Sequence, residues 1–170
     1  QFAGVVLTHG HEDHLGAVPY LMEKIPIRIY GTRLTLGLLE AKLQEFHPVA
    51  GSELIEMEPG IPERMGDFDI ELVRVSHSIP DGMGLFIRTP AGDLFHTGDF
   101  KFDQTPIGSP GPDFQRLARM GQDGLLCLLS DCTNVERPGY CPSERVVGET
   151  LHNLLRDAQG RVIITTFASN

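Results

Sequence analysis

The sequence predicts a layered α/β sandwich rather than a doubly wound sheet. Strand-like and helix-like segments alternate at the start of the chain. The middle is a run of consecutive strands that ends in a hairpin, and helical patterns return only after it. That order places helices outside packed sheets instead of threading one between every pair of strands.

The elements follow in turn. Val5-Val6-Leu7 is an apolar run that reads as a buried strand. Leu15-Gly16-Ala17-Val18-Pro19 reads as the start of a helix. Ile27-Arg28-Ile29-Tyr30 is a short strand ended by Gly31. Leu36, Leu39, Leu43 and Phe46 recur at helical spacing, with Glu40, Lys42 and Glu45 outside and Pro48 as the stop. Glu53 to Met57 is a strand stopped by Pro59-Gly60. Asp69 to His77 alternates, with Val73, Val75 and His77 on one face. Leu85–Arg88 and Asp93–His96 flank the turn Pro90-Ala91-Gly92. From Phe102 to Pro112 the chain is a loop rich in Gly and Pro, followed by a helix around Phe114–Met120. Leu125 to Leu129 reads as a buried strand containing Cys127, and Asp131 to Pro142 as irregular. Ser143 can cap a helix bearing Val146, Val147, Thr150, Leu151, Leu154 and Leu155, which Gly160 ends. Val162 to Thr166 reads as a final strand.

At 170 residues and 41% hydrophobic content the chain can bury a real core. No apolar run is long enough to span a membrane, so no membrane partner is expected. The chain opens and closes on strands, which suggests further sequence at both ends. Cys127, Cys132 and Cys141 are odd in number and show no Cys-x-x-Cys spacing. They read as reduced thiols of a cytoplasmic protein, with Cys127 buried and inert. The net charge of −9 argues against a broad basic face for nucleic acid.

The chemistry concentrates in Thr8-His9-Gly10-His11-Glu12-Asp13-His14, at the carboxyl end of the first strand. On extended backbone His9 and His11 can point the same way, while Asp13 and His14 lie past the bend and can face a second point. Imidazole and carboxylate suit zinc, or manganese and iron in a more oxygen-rich shell, and the spacing serves two metal ions better than one. His77 and Asp99, each at a strand end, are compatible with the same site. A carboxylate can bridge two cations because its two oxygens reach different metals. His96 reads as structural, and His47 and His152 as solvated or packing groups.

His-x-His-x-Asp-His, a distant His and then Thr-Gly-Asp resemble the metallo-β-lactamase superfamily. The stretches His96 to Asp103, Ser130 to Tyr140 and Phe167 to Asn170 narrow the resemblance to the ribonuclease J family of its β-CASP branch. It runs along nearly the whole chain and implies a four-layered αββα metallo-β-lactamase fold, present in part, with a β-CASP α/β domain inserted. Residues 1–133 would belong to the first domain, its opening strands lacking, and 134–170 would begin the second.

The resemblance further implies that His9, His11 and His77 hold one metal, that Asp13 and His14 hold the other, and that Asp99 bridges both. The two ions would be zinc, with manganese or magnesium as alternatives. Asp13 would also orient the nucleophile. Asp131 would support the ligands and the reacting phosphate, and Ala168, Ser169 and Asn170 would cradle the terminal nucleotide. Cys132 stands where the family often has Ser. The implied activity is hydrolysis of RNA from its 5′ end, with internal cutting as well, by a homo-oligomer assembled through regions outside this chain. Three other readings share parts of the pattern. A small-molecule metallohydrolase of the same fold needs only the first motif. A relative that cleaves messenger-RNA 3′ ends fits Arg137-Pro138-Gly139-Tyr140 less well. A metal-free scaffold subunit of an RNA-degrading complex would be expected to have lost ligands, and is disfavoured because all six ligand positions available in this chain are filled.

Overall fold

The computed structural model describes residues 2–166. Two sheets face each other and carry helices on their outer sides. The first sheet holds three parallel strands in the order β1 (Val5–Val6), β2 (Arg28–Gly31) and β3 (Glu53–Glu56). The second holds β4 (Glu63–Met65), β5 (Phe68–Arg74), β6 (Met83–Thr89), β7 (Gly92–His96) and β8 (Cys127–Leu129) in chain order. Its first four strands are antiparallel neighbours, and β8 joins β7 in parallel. Five helices complete the described residues: α1 (Glu12–Leu15), α2 (Val18–Met22), α3 (Arg33–Leu43), α4 (Phe114–Asp123) and α5 (Glu144–Asp157).

Three apolar cores separate four layers. Leu7, Leu15, Met22, Ile29, Leu36 and Leu39 join α1, α2 and α3 to the first sheet. Tyr30, Met57, Met65, Ile70, Leu72 and Met83 fill the space between the sheets. Val73, Phe86, Phe95 and Met120 join the second sheet to α4. The period-2 geometry of a strand makes this division: Ile29 enters the first core and Tyr30 the second, and Leu72 enters the second and Val73 the third. Each fully buried aliphatic side chain, such as Ile29 or Leu72, contributes about 1.5–3 kcal/mol. The αββα sandwich expected from the sequence is therefore present, and so is the hairpin at Pro90-Ala91-Gly92, which joins β6 to β7.

Several expectations need correction. The first helix is two short pieces, and the first begins inside the histidine cluster, at Glu12. Pro19 lacks the N–H that a continuous helix would need there, so the chain restarts at Val18. β4 was not visible as a strand, because Glu63-Arg64-Met65 carries no alternating apolar pattern. The expected strand over 162–166 is not formed. Val162, Ile163 and Ile164 are exposed, and isolated strands gain no ladder bonds without a partner edge. α5 forms as expected, and the Ser143 hydroxyl accepts from the Arg145 N–H, yet Val146, Val147, Leu151, Leu154 and Leu155 all remain exposed.

Cys127 is half-buried rather than buried, because β8 is an edge strand left exposed at both Leu128 and Leu129. Cys132 and Cys141 are exposed free thiols. A thiol reagent added to the native protein is expected to modify Cys132 and Cys141 rapidly and Cys127 at least several-fold more slowly, with three groups reacting in denaturant. Fewer than three under denaturing conditions would overturn the reduced-thiol reading.

Candidate metal centre

The ligand-bearing side chains come from three segments that are distant in sequence and adjacent in space. β1 runs parallel to β2 and delivers Thr8 and His9 at its carboxyl end. His9 is 1% exposed, and its Nδ1 lies 3.0 Å from Thr8 Oγ1. His11 is the residue before α1, and Asp13 and His14 lie in that helix. His77 follows β5. Its neighbour Ser76 forms an isolated antiparallel bridge with Lys101, whose N–H donates to the Ser76 carbonyl at 2.7 Å. That bridge sets the loop carrying Asp99 beside the end of β5.

The ring nitrogens converge. His11 Nδ1 lies 3.1 Å from His9 Nε2 and 3.1 Å from His77 Nε2. Asp99 sits across the histidines with its two oxygens divided between them. Oδ1 is 3.4 Å from His14 Nε2, while Oδ2 is 3.5 Å from His77 Nε2 and 3.9 Å from His9 Nε2. Two three-ligand groups result, His9/His11/His77 and His9/His14/Asp99. Asp13 belongs to neither: its side chain is 79% exposed and its Oδ2 is 3.7 Å from His14 Nε2.

This donor set fits a metal ion. Nitrogens held about 2.0–2.1 Å from a zinc ion in a tetrahedral shell are separated by about 3.3 Å, close to the spacing of the three rings. A single Nδ1 facing two Nε2 atoms also suits a shared cation better than hydrogen bonds, because it has only one lone pair or one proton to offer. The protonation states agree. Burial, reinforced by the neighbouring His14, His77 and His11, pushes His9 down to about 3, against a smaller upward pull from Asp13. Burial and then His11 lower His77 as well, with Asp99 and Asp131 opposing. Neutral imidazole is the form that ligates.

Asp131 is tied beside this cluster. Its N–H donates to Thr97 Oγ1 at 2.9 Å, and its Oδ1 accepts from the Thr133 N–H and hydroxyl at 2.8 and 2.7 Å. The Thr133 backbone bond above all holds this carboxyl below the usual carboxylate range, helped by the Phe100 amide and by His77. His96, read as structural, accepts from the Gly98 N–H at 3.0 Å through Nδ1. His47 and His152 are exposed and lie outside the cluster. Ala168, Ser169 and Asn170 lie outside the described residues.

Gly98 makes the approach of Asp99 possible. Its φ is +60°, and a Cβ there would stand 2.6 Å from the Met83 carbonyl oxygen. Gly98→Ala is expected to cost about 1–3 kcal/mol in denaturant-induced unfolding of the full-length protein and to weaken metal retention, through strain at the turn that presents Asp99. An alanine variant of unchanged midpoint and metal content would remove this role.

Residues 1–115 match a family model described as a beta-lactamase superfamily domain. The chain belongs to the β-lactamase superfamily. Members with the metallo-β-lactamase fold bind divalent metal, in agreement with the donor set described above. The chain is also 48% identical over 172 residues to ribonuclease J of Thermus thermophilus, across 97% of this chain and 30% of that protein. It is 43% identical over 171 residues to ribonuclease J of Helicobacter pylori, across 100% of this chain and 25% of that protein. With ribonuclease J of Mycobacterium tuberculosis the identity is 46% over 169 residues, across 98% and 30%. The chain thus spans between a quarter and a third of the length of these curated relatives. Among solved structures, a protein of unknown function from Enterococcus faecalis V583 aligns at TM-score 0.62 and 20% identity, over 90% of this chain and 39% of that one. That likeness concerns the fold alone.

Proposed function

We propose that this chain is the metal-binding segment of a ribonuclease that hydrolyses RNA phosphodiesters, 5′-to-3′ from the end and also internally, in RNA maturation and decay. The observation that carries the proposal is the 43–48% identity to ribonucleases J over nearly the whole chain, on a fold that brings His9, His11, His14, His77 and Asp99 together. In this reading residues 1–133 form part of the metallo-β-lactamase domain and 134–170 begin a β-CASP domain. The protein works in the cytoplasm, in keeping with its free thiols, and as a homo-oligomer assembled through other regions of the parent.

His9, His11 and His77 hold one metal, and three imidazoles favour zinc. Asp13 and His14 hold the second, with manganese or magnesium as alternatives in its more oxygen-rich surroundings. Asp99 would serve both, since one of its oxygens lies toward His14 and the other toward His77 and His9. When bound, such a pair supplies Lewis acidity, easing loss of a proton from water and offsetting charge that grows on the phosphate. The exposed Asp13 carboxylate accepts a hydrogen bond from the attacking water and aims it at phosphorus. Asp131, locked by Thr133, stays ionised within electrostatic reach of His77 and supports the ligand cluster through that charge. Ala168, Ser169 and Asn170 bind the terminal nucleotide.

The test uses the full-length parent loaded with zinc or manganese and offered matched RNAs ending in 5′-monophosphate or 5′-triphosphate. Metal-dependent release of nucleotides, faster from the monophosphate, is expected. A metal-loaded protein that hydrolyses a small ester or lactam and leaves both RNAs intact would replace this reading with that of a small-molecule hydrolase.

A further inference from the structure

A polar cavity that none of the metal-cluster residues line lies beside the end of β5, where α4 and the Pro59–Pro62 loop meet the second sheet. Its volume is about 380 Å³. Arg74, Arg88, Arg116 and Arg119 line it. Four of the chain's 14 lysines and arginines thus surround one cavity in a protein of net charge −9. Two carboxylates accompany them. Asp113 is committed to capping α4, accepting from the Arg116 N–H at 2.9 Å. Glu71 is buried and takes Arg116 Nε at 2.6 Å, Arg116 Nη2 at 2.7 Å and Arg88 Nη2 at 3.0 Å. The cavity keeps a surplus of two positive charges.

Two of the guanidiniums are held in place before any ligand arrives. Arg88 and Arg116 each lie 4.8 Å over the Phe86 ring while Glu71 grips them. A planar guanidinium fixed at one edge presents its remaining N–H groups in a rigid fork, the arrangement that matches an oxyanion. Arg74 adds an independent sign. Its Nε is buried and has no hydrogen-bond partner among the described residues. An unsatisfied buried donor on a charged group is costly; this nitrogen is closed to solvent, so only the other nitrogens of the side chain are left for an anion in the cavity.

We propose that this cavity binds a tetrahedral oxyanion of the phosphate class, supplied either as free phosphate or as a phosphodiester of bound RNA. The second source rests on the ribonuclease reading above; the first does not. Arg74 and Arg119 are the free donors of the site, and Glu71 and Phe86 position the other two.

The experiment compares the full-length protein with Arg119→Gln and Arg74→Gln. Arg119 is exposed, so its variant serves as the one safe for folding, checked by circular dichroism. In chelator-treated protein, which removes the metal centre as a competing phosphate site, titration with inorganic phosphate is followed by calorimetry. In metal-loaded protein, kcat and KM on 5′-monophosphorylated RNA are measured across a salt series. Phosphate affinity reduced about tenfold in both variants, with RNA kinetics unchanged, establishes the site for the free anion. A raised KM at constant kcat, with the salt dependence shallower by about one unit per arginine removed, assigns it to the RNA backbone. Both variants matching the parent in phosphate affinity and in RNA kinetics overturns the proposal. A parent that binds phosphate here and cuts no RNA sinks the ribonuclease reading and leaves the anion site standing.

Discussion

Asp99→Asn in the full-length protein is expected to lose both metal ions together and to lower turnover by at least about a thousandfold. The expectation comes from how the carboxylate is shared. One oxygen faces His14, and the other faces His77 and His9, so the carboxylate belongs to the His9/His14/Asp99 group and also reaches two nitrogens of the His9/His11/His77 group. An amide keeps the shape but is a poor bridging ligand, since it is neutral and one of its two arms is a donor. His77→Ala is expected to behave differently, emptying mainly the position shared with His9 and His11. Metal content by mass spectrometry of inductively coupled plasma, run on both variants beside the parent, separates the two patterns. Two metals retained per chain in the Asp99 variant would end the bridging role.

Glu71→Gln is expected to destabilise the folded protein by about 2–4 kcal/mol while leaving metal content unchanged. Glu71 is 4% exposed on the face of β5 that packs toward α4, and it anchors Arg88 and Arg116 over Phe86. Breaking a buried ion pair on one side costs about 3–5 kcal/mol because the partner charge stays behind. The figure here is lower because Arg88 and Arg116 keep 38% and 23% exposure and recover some hydration. Arg116 stays charged in the variant because a guanidinium keeps its proton near neutral pH whatever its partner, so it cannot escape the cost by deprotonating. Urea unfolding of parent and variant gives the difference directly. A change under about 1 kcal/mol would show that the apolar contacts of Met120 and Leu117, and not the Glu71 ion pairs, hold α4.

The sequence by itself determined the features set by neighbours a few residues apart. His9, His11, Asp13 and His14 were legible as a ligand set because extended backbone followed by a helical turn aims such spacings at nearby points, and the structure brings His9, His11 and His14 together while leaving Asp13 exposed. The hairpin of β6 and β7, the helix from Arg33 and the Ser143 cap were equally local. Their signals are turn chemistry, periodicity and capping, which act within one turn or one strand.

What the tertiary structure alone decided depends on contacts across long stretches of chain. His77 and Asp99 were ambiguous until the Ser76–Lys101 bridge put them beside His11 and His14. Glu71 carried no signal, since a buried carboxylate is tolerable only because Arg116 arrives from α4 and Arg88 from β6. The arginine cavity could not be seen either, because its four members come from three different elements. Conversely, Leu125–Leu129 and Val162–Thr166 have the composition of buried strands, yet one lies at a sheet edge and the other pairs with nothing among the described residues. Composition records how apolar a segment is; whether it is covered is settled by which other segment reaches it, and no local pattern carries that information.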